Sequence, residues 1–186
     1  MRTKTYYEAN KVAVDALAQV LGVNTTYAVL MHQRNIKSVE DAKVYLNPSK
    51  EHLKNFSLLK NCHKAAECLE QHIQSKHRIM LYGDYDVDGT SSIALIYQTL
   101  KLVISNDLIT TYFPDRKEEG YGISTKGVHH SIDNNISLII AVDCGTKDFK
   151  SVQIARDHSI DVIICDHHEV GEEIPDAIYI NPKQKD

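Results

Sequence analysis

Four short apolar runs in the second half of the chain limit its fold more than any other feature: RIMLYG (78–83), LITTYF (108–113), SLIIAVD (137–143) and DVIICD (161–166). Each is rich in β-branched residues and too brief for a helix, while the gaps at roughly 90–104, 124–134 and 147–159 carry helical spacing. Strand and helix alternating at this rhythm predict βαβ units, hence an α/β fold with a parallel sheet flanked by helices on both faces. AIYIN (177–181) is a candidate for one more strand.

The first seventy or so residues lack strand-like alternation. KVAVDALAQVLG (11–22) has apolar residues at helical spacing and a glycine stop. Asn24 is placed to cap a second helix through about Arg34, and Ser38 with Asp41 resembles a capping motif for a third that ends before Asn47-Pro48. A fourth helix is expected from Asn61 to about Ser75. The expected organisation is therefore a small helical N-terminal segment over 1–76 followed by the α/β domain over 77–186.

The bulk properties exclude several classes. The 186 residues are 42% hydrophobic and 25% charged, as in a globular domain, and the net charge of −4 does not advertise a nucleic-acid binder, although a local basic groove is compatible with that sum. No apolar stretch approaches the ~20 residues that cross a membrane, and MRTKTYYEAN lacks a signal-peptide core. Cys62, Cys68, Cys144 and Cys165 show no CxxC spacing, so neither structural zinc nor a disulfide framework is indicated, and cytoplasmic residence is expected.

In an open parallel sheet, ligands gather beyond the carboxyl ends of the strands. Here the first run leads into Asp84, Asp86 and Asp88, the third ends at Asp143, and the fourth ends in Asp166, His167, His168 and Glu169. Taken singly, an Asp after a strand is often the N-cap of the next helix, which competes evenly at Asp143; alternating aspartates suit a turn, and a His-His pair suits a solvated loop. Together they make an oxygen and nitrogen donor set suited to Mn²⁺ or Mg²⁺, less selectively to Zn²⁺. An EF-hand is excluded, because the twelfth position of a loop starting at Asp84 is Leu95 rather than Glu and a strand precedes it.

Such a rim suits two-ion phosphoester hydrolysis. Asp143, from the middle of the cluster, is the best bridging ligand; Asp86 and Asp88 would each face an ion, and His167 would supply a nitrogen. His168 is better placed as a phosphate contact or general acid, with Asp166 orienting an imidazole. YFPDRKEEGYGIS (112–124) falls on the same rim. There Arg116 suits a phosphate, Gly120 and Gly122 let backbone approach a ligand, and Tyr121 suits stacking on a base. A plain surface turn accounts for its composition equally well. Thr90, Ser91 and Ser92 offer N–H groups to a phosphate or merely cap a helix.

With Gly83 to Gly89 reading GDYDVDG, then AVDCGT, then Asp166-His167-His168, the chain resembles the DHH phosphoesterase superfamily, and within it the RecJ-type single-strand-specific DNA exonucleases. The family's Arg and Glu-Gly-Tyr-Gly between the first two motifs are matched by Arg116 and Glu119 to Gly122; INP (180–182) and YLNPS (45–49) match further positions. The resemblance implies a Mn²⁺- or Mg²⁺-dependent enzyme that releases mononucleotides from the 5′ end of single-stranded DNA in recombination and repair. The implied metal ligands are Asp84, Asp86, Asp88, Asp143 and His167, with His168 at the scissile phosphate. Which two of the first three carboxylates bind directly is left open. The family's fourth motif, one more metal-binding Asp, and its second domain do not occur before Asp186, so weak or no activity is expected of this stretch alone. The alternatives are a DHH phosphoesterase for oligonucleotides, cyclic dinucleotides or pyrophosphate, and a non-catalytic nucleic-acid-binding module.

Overall fold

A computed structural model describes residues 10–184. They group into two compact units, divided between Asn55 and Phe56. The first holds three helices, α1 (Lys11–Leu21), α2 (Thr25–Gln33) and α3 (Val39–Leu46), with a small core of Val14, Leu17, Ala28, Met31 and Ala42. Their ends follow the local chemistry. Asn10, Asn24 and Ser38 cap the three N-termini through side-chain oxygens, and Gly22 takes the left-handed conformation that closes α1.

The second unit opens with α4 (Cys62–Gln74) and continues β1 (Arg78–Gly83), α5 (Val87–Leu100), β2 (Ile109–Tyr112), α6 (Thr125–Asp133), β3 (Ile136–Val142), α7 (Phe149–Asp157), β4 (Asp161–Cys165) and β5 (Ile178–Ile180). All four strand pairings are parallel, in the order β2-β1-β3-β4-β5. Side chains of a strand alternate between faces, and both faces here are apolar. Met80, Tyr82, Ile139, Ala141, Val162 and Ile164 pack on one side with α6 and α7 residues such as Val128 and Val152. Ile79, Leu81, Leu138, Ile140, Val142 and Ile163 pack on the other with Ala65 and Cys68 of α4 and Ile93 of α5. A sheet buried on both sides explains why the runs read as continuous rather than alternating.

Two details differ from the expected boundaries. By packing, α4 goes with the sheet rather than with α1–α3, so the division at Asn55/Phe56 precedes the change of secondary structure near His77. Also, α5 starts at Val87 rather than near Thr90, because Asp86 caps it by accepting the N–H groups of Asp88 and Gly89 at 2.9 and 3.1 Å.

Strand order reverses between β1 and β3, and the helices that follow those strands lie on opposite faces. That is the switch point where an open α/β sheet forms a crevice at its carboxyl edge. Gly89 lets α5 sit tightly there, for a Cβ on it would lie 2.7 Å from the Asp84 amide nitrogen. Gly89→Ala should therefore destabilise the unit by about 1–3 kcal/mol in urea unfolding. Gly171→Ala, with nothing nearer than 3.5 Å, should be close to neutral.

Candidate metal centre

The switch-point crevice gathers the acids that end the strands. One oxygen each from Asp84, Asp86 and Asp143 lie within 4.8 Å of one another, and so do one donor atom each from Asp143, His167 and His168. Asp143 belongs to both groups. It sits at the end of β3 in the left-handed region, with φ of 59°, a conformation that Asn and Asp tolerate better than most residues. Its Oδ1 lies 2.9 Å from His167 Nε2. Asp143 caps no helix; Asp148 stands before α7, and its own carboxylate accepts the Ile123 N–H across the crevice. The capping role belongs instead to Asp86, which spends Oδ1 on α5.

Asp84 and Asp143 are buried, at 6% and 7% exposure. Burial first, then the nearby Asp86 charge, pushes the Asp143 carboxyl above the ordinary carboxylate range, with His167 working against the rise. Asp86 is held below it, chiefly by the Gly89 N–H, and one oxygen of each carboxylate lies within 4.8 Å of the other. Converging carboxylates, two of them buried, fit a hard divalent cation, which removes the repulsion that otherwise opposes their ionisation. Asp88, in the first turn of α5, belongs to neither group of donors, but it lines the same cleft of about 480 Å³ with Ser91, Asp143, Asp166 and His167.

A second set of residues fixes the first. Asp166 is buried, and although burial opposes its charge, bonds from Thr146 and His168 hold its carboxyl below the usual range. Its Oδ2 takes the Thr146 amide at 3.1 Å as well as the Thr146 hydroxyl, while Oδ1 takes the main-chain N–H of His167 at 2.7 Å and meets His168 Nδ1 at 2.7 Å. The His168 Nδ1–H donates to this carboxylate, leaving Nε2 for an incoming ligand. Behind Thr146, Tyr179 and Asn181 continue the network, and Asn181 donates to the His168 carbonyl at 3.0 Å.

The loop after β2 reaches the same place. The Tyr121 hydroxyl donates to the Asp143 carbonyl at 2.9 Å and lies 3.0 Å from His168 Nδ1, while its ring is half exposed. Gly122 has φ of 94°, a conformation that favours glycine, and a Cβ there would meet the Asp148 carboxylate at 2.5 Å. The Gly122 carbonyl accepts the Tyr82 hydroxyl at 3.0 Å. Arg116 places its guanidinium 5.3 Å from the centre of the Tyr85 ring, which brings it to the edge of the first acidic segment. Tyr85 escaped the sequence reading, although an aromatic between two aspartates was the available signal. Glu119, which the sequence marked only as the start of the Glu-Gly-Tyr-Gly match, accepts from Tyr112, from the Asp115 N–H and from Ser124, and so pins the loop. The hydroxyls Thr90, Ser91 and Ser92 lie within α5, and Thr90 bonds back to the Asp86 carbonyl at 2.7 Å.

Residues 78–186 match the DHH family, N-terminal domain. The chain is 33% identical over 172 residues to the single-stranded-DNA-specific exonuclease RecJ of Bacillus subtilis (strain 168), covering 92% of this chain and 22% of that protein. It is 33% identical over 159 residues to the exonuclease of the same name from Escherichia coli (strain K12), covering 84% and 26%. The chain thus spans about a quarter of the length of these relatives. A crystal structure of exonuclease RecJ bound to manganese superposes with a TM-score of 0.62 at 30% identity, over 67% of this chain and 31% of that one. The RecJ structure from Thermus thermophilus, in complex with Mn²⁺, shares the fold, with a TM-score of 0.63 at 23% identity over 92% of this chain and 23% of that one.

Asp143→Asn keeps a side chain suited to positive φ and removes one of the facing charges. It should leave the melting temperature unchanged or higher while weakening Mn²⁺ binding roughly tenfold or more in calorimetric titration. An unchanged affinity would remove Asp143 from the centre.

Proposed function

The chain belongs to the DHH family, and from that premise we propose that it carries the metal-binding rim of a 5′-to-3′ single-strand-specific DNA exonuclease. The observation that carries this reading is the pair of donor groups sharing Asp143 at the sheet's switch point. The relatives' names, and the manganese in a 30%-identical structure, support the substrate and the cofactor.

In this reading Asp84, Asp86, Asp143 and His167 would hold Mn²⁺ or Mg²⁺, with Asp88 contributing from the cleft wall. When bound, such ions lower the pKa of water and stabilise charge on the phosphate oxygens. The chain's own residues do the positioning. Asp86 divides its carboxylate between capping α5 and facing the cleft, so the helix holds it in place. His168, anchored through Nδ1 on Asp166, presents Nε2 to the scissile phosphate. Arg116 pairs with a second phosphate while its guanidinium rests on Tyr85. The exposed ring of Tyr121 offers a stacking surface for the terminal base while its hydroxyl stays on Asp143. The same reading gives the protein a part in recombination and repair and a cytoplasmic site of action; among the described residues no helix is long and apolar enough to cross a membrane.

Product identity tests the proposal. With Mn²⁺ and 5′-labelled single-stranded DNA, the first labelled product should be a mononucleotide, formed slowly by this chain and lost on chelation or in Asp143→Asn. The segment should also restore that activity when it replaces the matching quarter of the Bacillus subtilis relative. Labelled internal fragments, or hydrolysis of cyclic dinucleotides with polymer untouched, would overturn it.

A further inference from the structure

At the opposite edge of the sheet from the acidic rim, α4 and the start of β4 bring together three unlike donors. Cys68 and His72 lie one turn apart on the face of α4 that covers the sheet, and Asp161 is the first residue of β4. A sulfur, an imidazole nitrogen and a carboxylate oxygen from these residues lie within 4.8 Å of one another. His72 Nε2 is 3.1 Å from Asp161 Oδ2, and His72 Nδ1 is 3.1 Å from Nδ1 of His77, just before β1. Cys68 and His72 are 9% and 7% exposed, whereas the Asp161 side chain is 56% exposed, so the trio is packed on one side and open to solvent on the other.

The protons on the two imidazoles allow two arrangements. Two Nδ1 atoms this close need one proton between them. If His77 supplies it, His72 donates Nε2–H to Asp161, and the three residues form a hydrogen-bond relay in which Cys68 has no part. If His72 supplies it, the Nε2 lone pair faces a carboxylate with a thiol beside it, and three electron-pair donors point at one space. In that second arrangement His77 accepts the Nδ1–H of His72, the outer contact that usually fixes the tautomer of a metal-bound histidine.

We propose that Cys68, His72 and Asp161 form a second metal site, separate from the acidic rim, which takes a single zinc-class ion with water completing its coordination. One sulfur, one nitrogen and one oxygen suit a borderline ion such as Zn²⁺, whereas the all-hard rim suits Mn²⁺ or Mg²⁺. Bond lengths near 2.0–2.3 Å put the donors of a tetrahedral zinc roughly 3–4 Å apart, a small contraction for side chains of which one is free in solvent. On binding, the Cys68 S–H bond breaks as the sulfur–metal bond forms, and the proton leaves to solvent. Burial and the Asp161 charge push that thiol up, so the ion must displace the proton rather than find a thiolate waiting. The bound ion would clip α4 to the start of β4.

Cobalt(II) is the probe, because a thiolate ligand gives it a near-ultraviolet charge-transfer band that carboxylates and imidazoles do not. Titrating the chain with Co²⁺ under excess Mg²⁺, which occupies the rim, should raise this band to saturation at one equivalent, and Zn²⁺ should abolish it. Cys68→Ser should remove the band, Cys165→Ser should keep it, and Asp161→Asn should weaken cobalt binding roughly tenfold. Absence of the band, or its survival in Cys68→Ser, would overturn the site and leave the hydrogen-bond relay. Should Cys68→Ser fail to fold, Asp161→Asn, which changes a half-exposed side chain at its contact with His72, decides the matter; unchanged cobalt affinity there sinks the proposal.

Discussion

Asp86 and Asp143 meet across the gap between β1 and β3, with an oxygen of each within 4.8 Å of the other, and much of the second unit serves to hold them there. Left to themselves, two carboxylates at this separation move apart or stay protonated. The sheet prevents the first response. β1 and β3 are hydrogen-bonded in register through Gly83↔Val142, the pair immediately before the acids, and their side chains are locked into apolar layers on both faces. The cap that Asp86 places on α5 and the unusual backbone of Asp143 complete the clamp. The fold thus maintains a concentration of negative charge that its own interactions do not neutralise, which is what a cation-binding centre requires.

Three carboxylates around the crevice commit one oxygen to a neighbouring group and keep the other for a ligand. Asp84 gives one to the Tyr85 amide, Asp86 gives one to the helix, and Asp143 gives one to His167. Asp166 gives away both, to Thr146 on one side and to the two histidines on the other, and so serves as a post rather than a ligand. This division separates residues that touch the reacting groups from those that aim them, and it assigns Glu119 and Asp148 to the second class.

The strands and the rim were legible in the sequence because both depend on local pattern. Short β-branched runs give strands, and parallel pairing then carries Asp84, Asp143 and Asp166 to one edge whatever the details of packing. The resemblance to the DHH family rests on the same residues. What the sequence did not reveal depends on partners far along the chain. The link from Tyr121 to Asp143 spans 22 positions, that from Asp148 to Ile123 spans 25, and that from Tyr179 to Thr146 spans 33. The helix start at Val87 was hidden for another reason. Asp86 suits a cap and a ligand equally well, and only the backbone shows that it does both. The place of α4 was likewise beyond pattern, because its amphipathic face gives no sign of which core it covers.

Cys144 and Cys165 stand next to the acids that end β3 and β4, yet burial, the dominant effect, raises both thiols, that of Cys165 to about 11. A thiol raised in this way is a poor nucleophile at neutral pH, because the thiolate is the reactive form. The two sulfurs beside the crevice therefore stay in the thiol form, and the acidic centre keeps its donor set of oxygens and nitrogens.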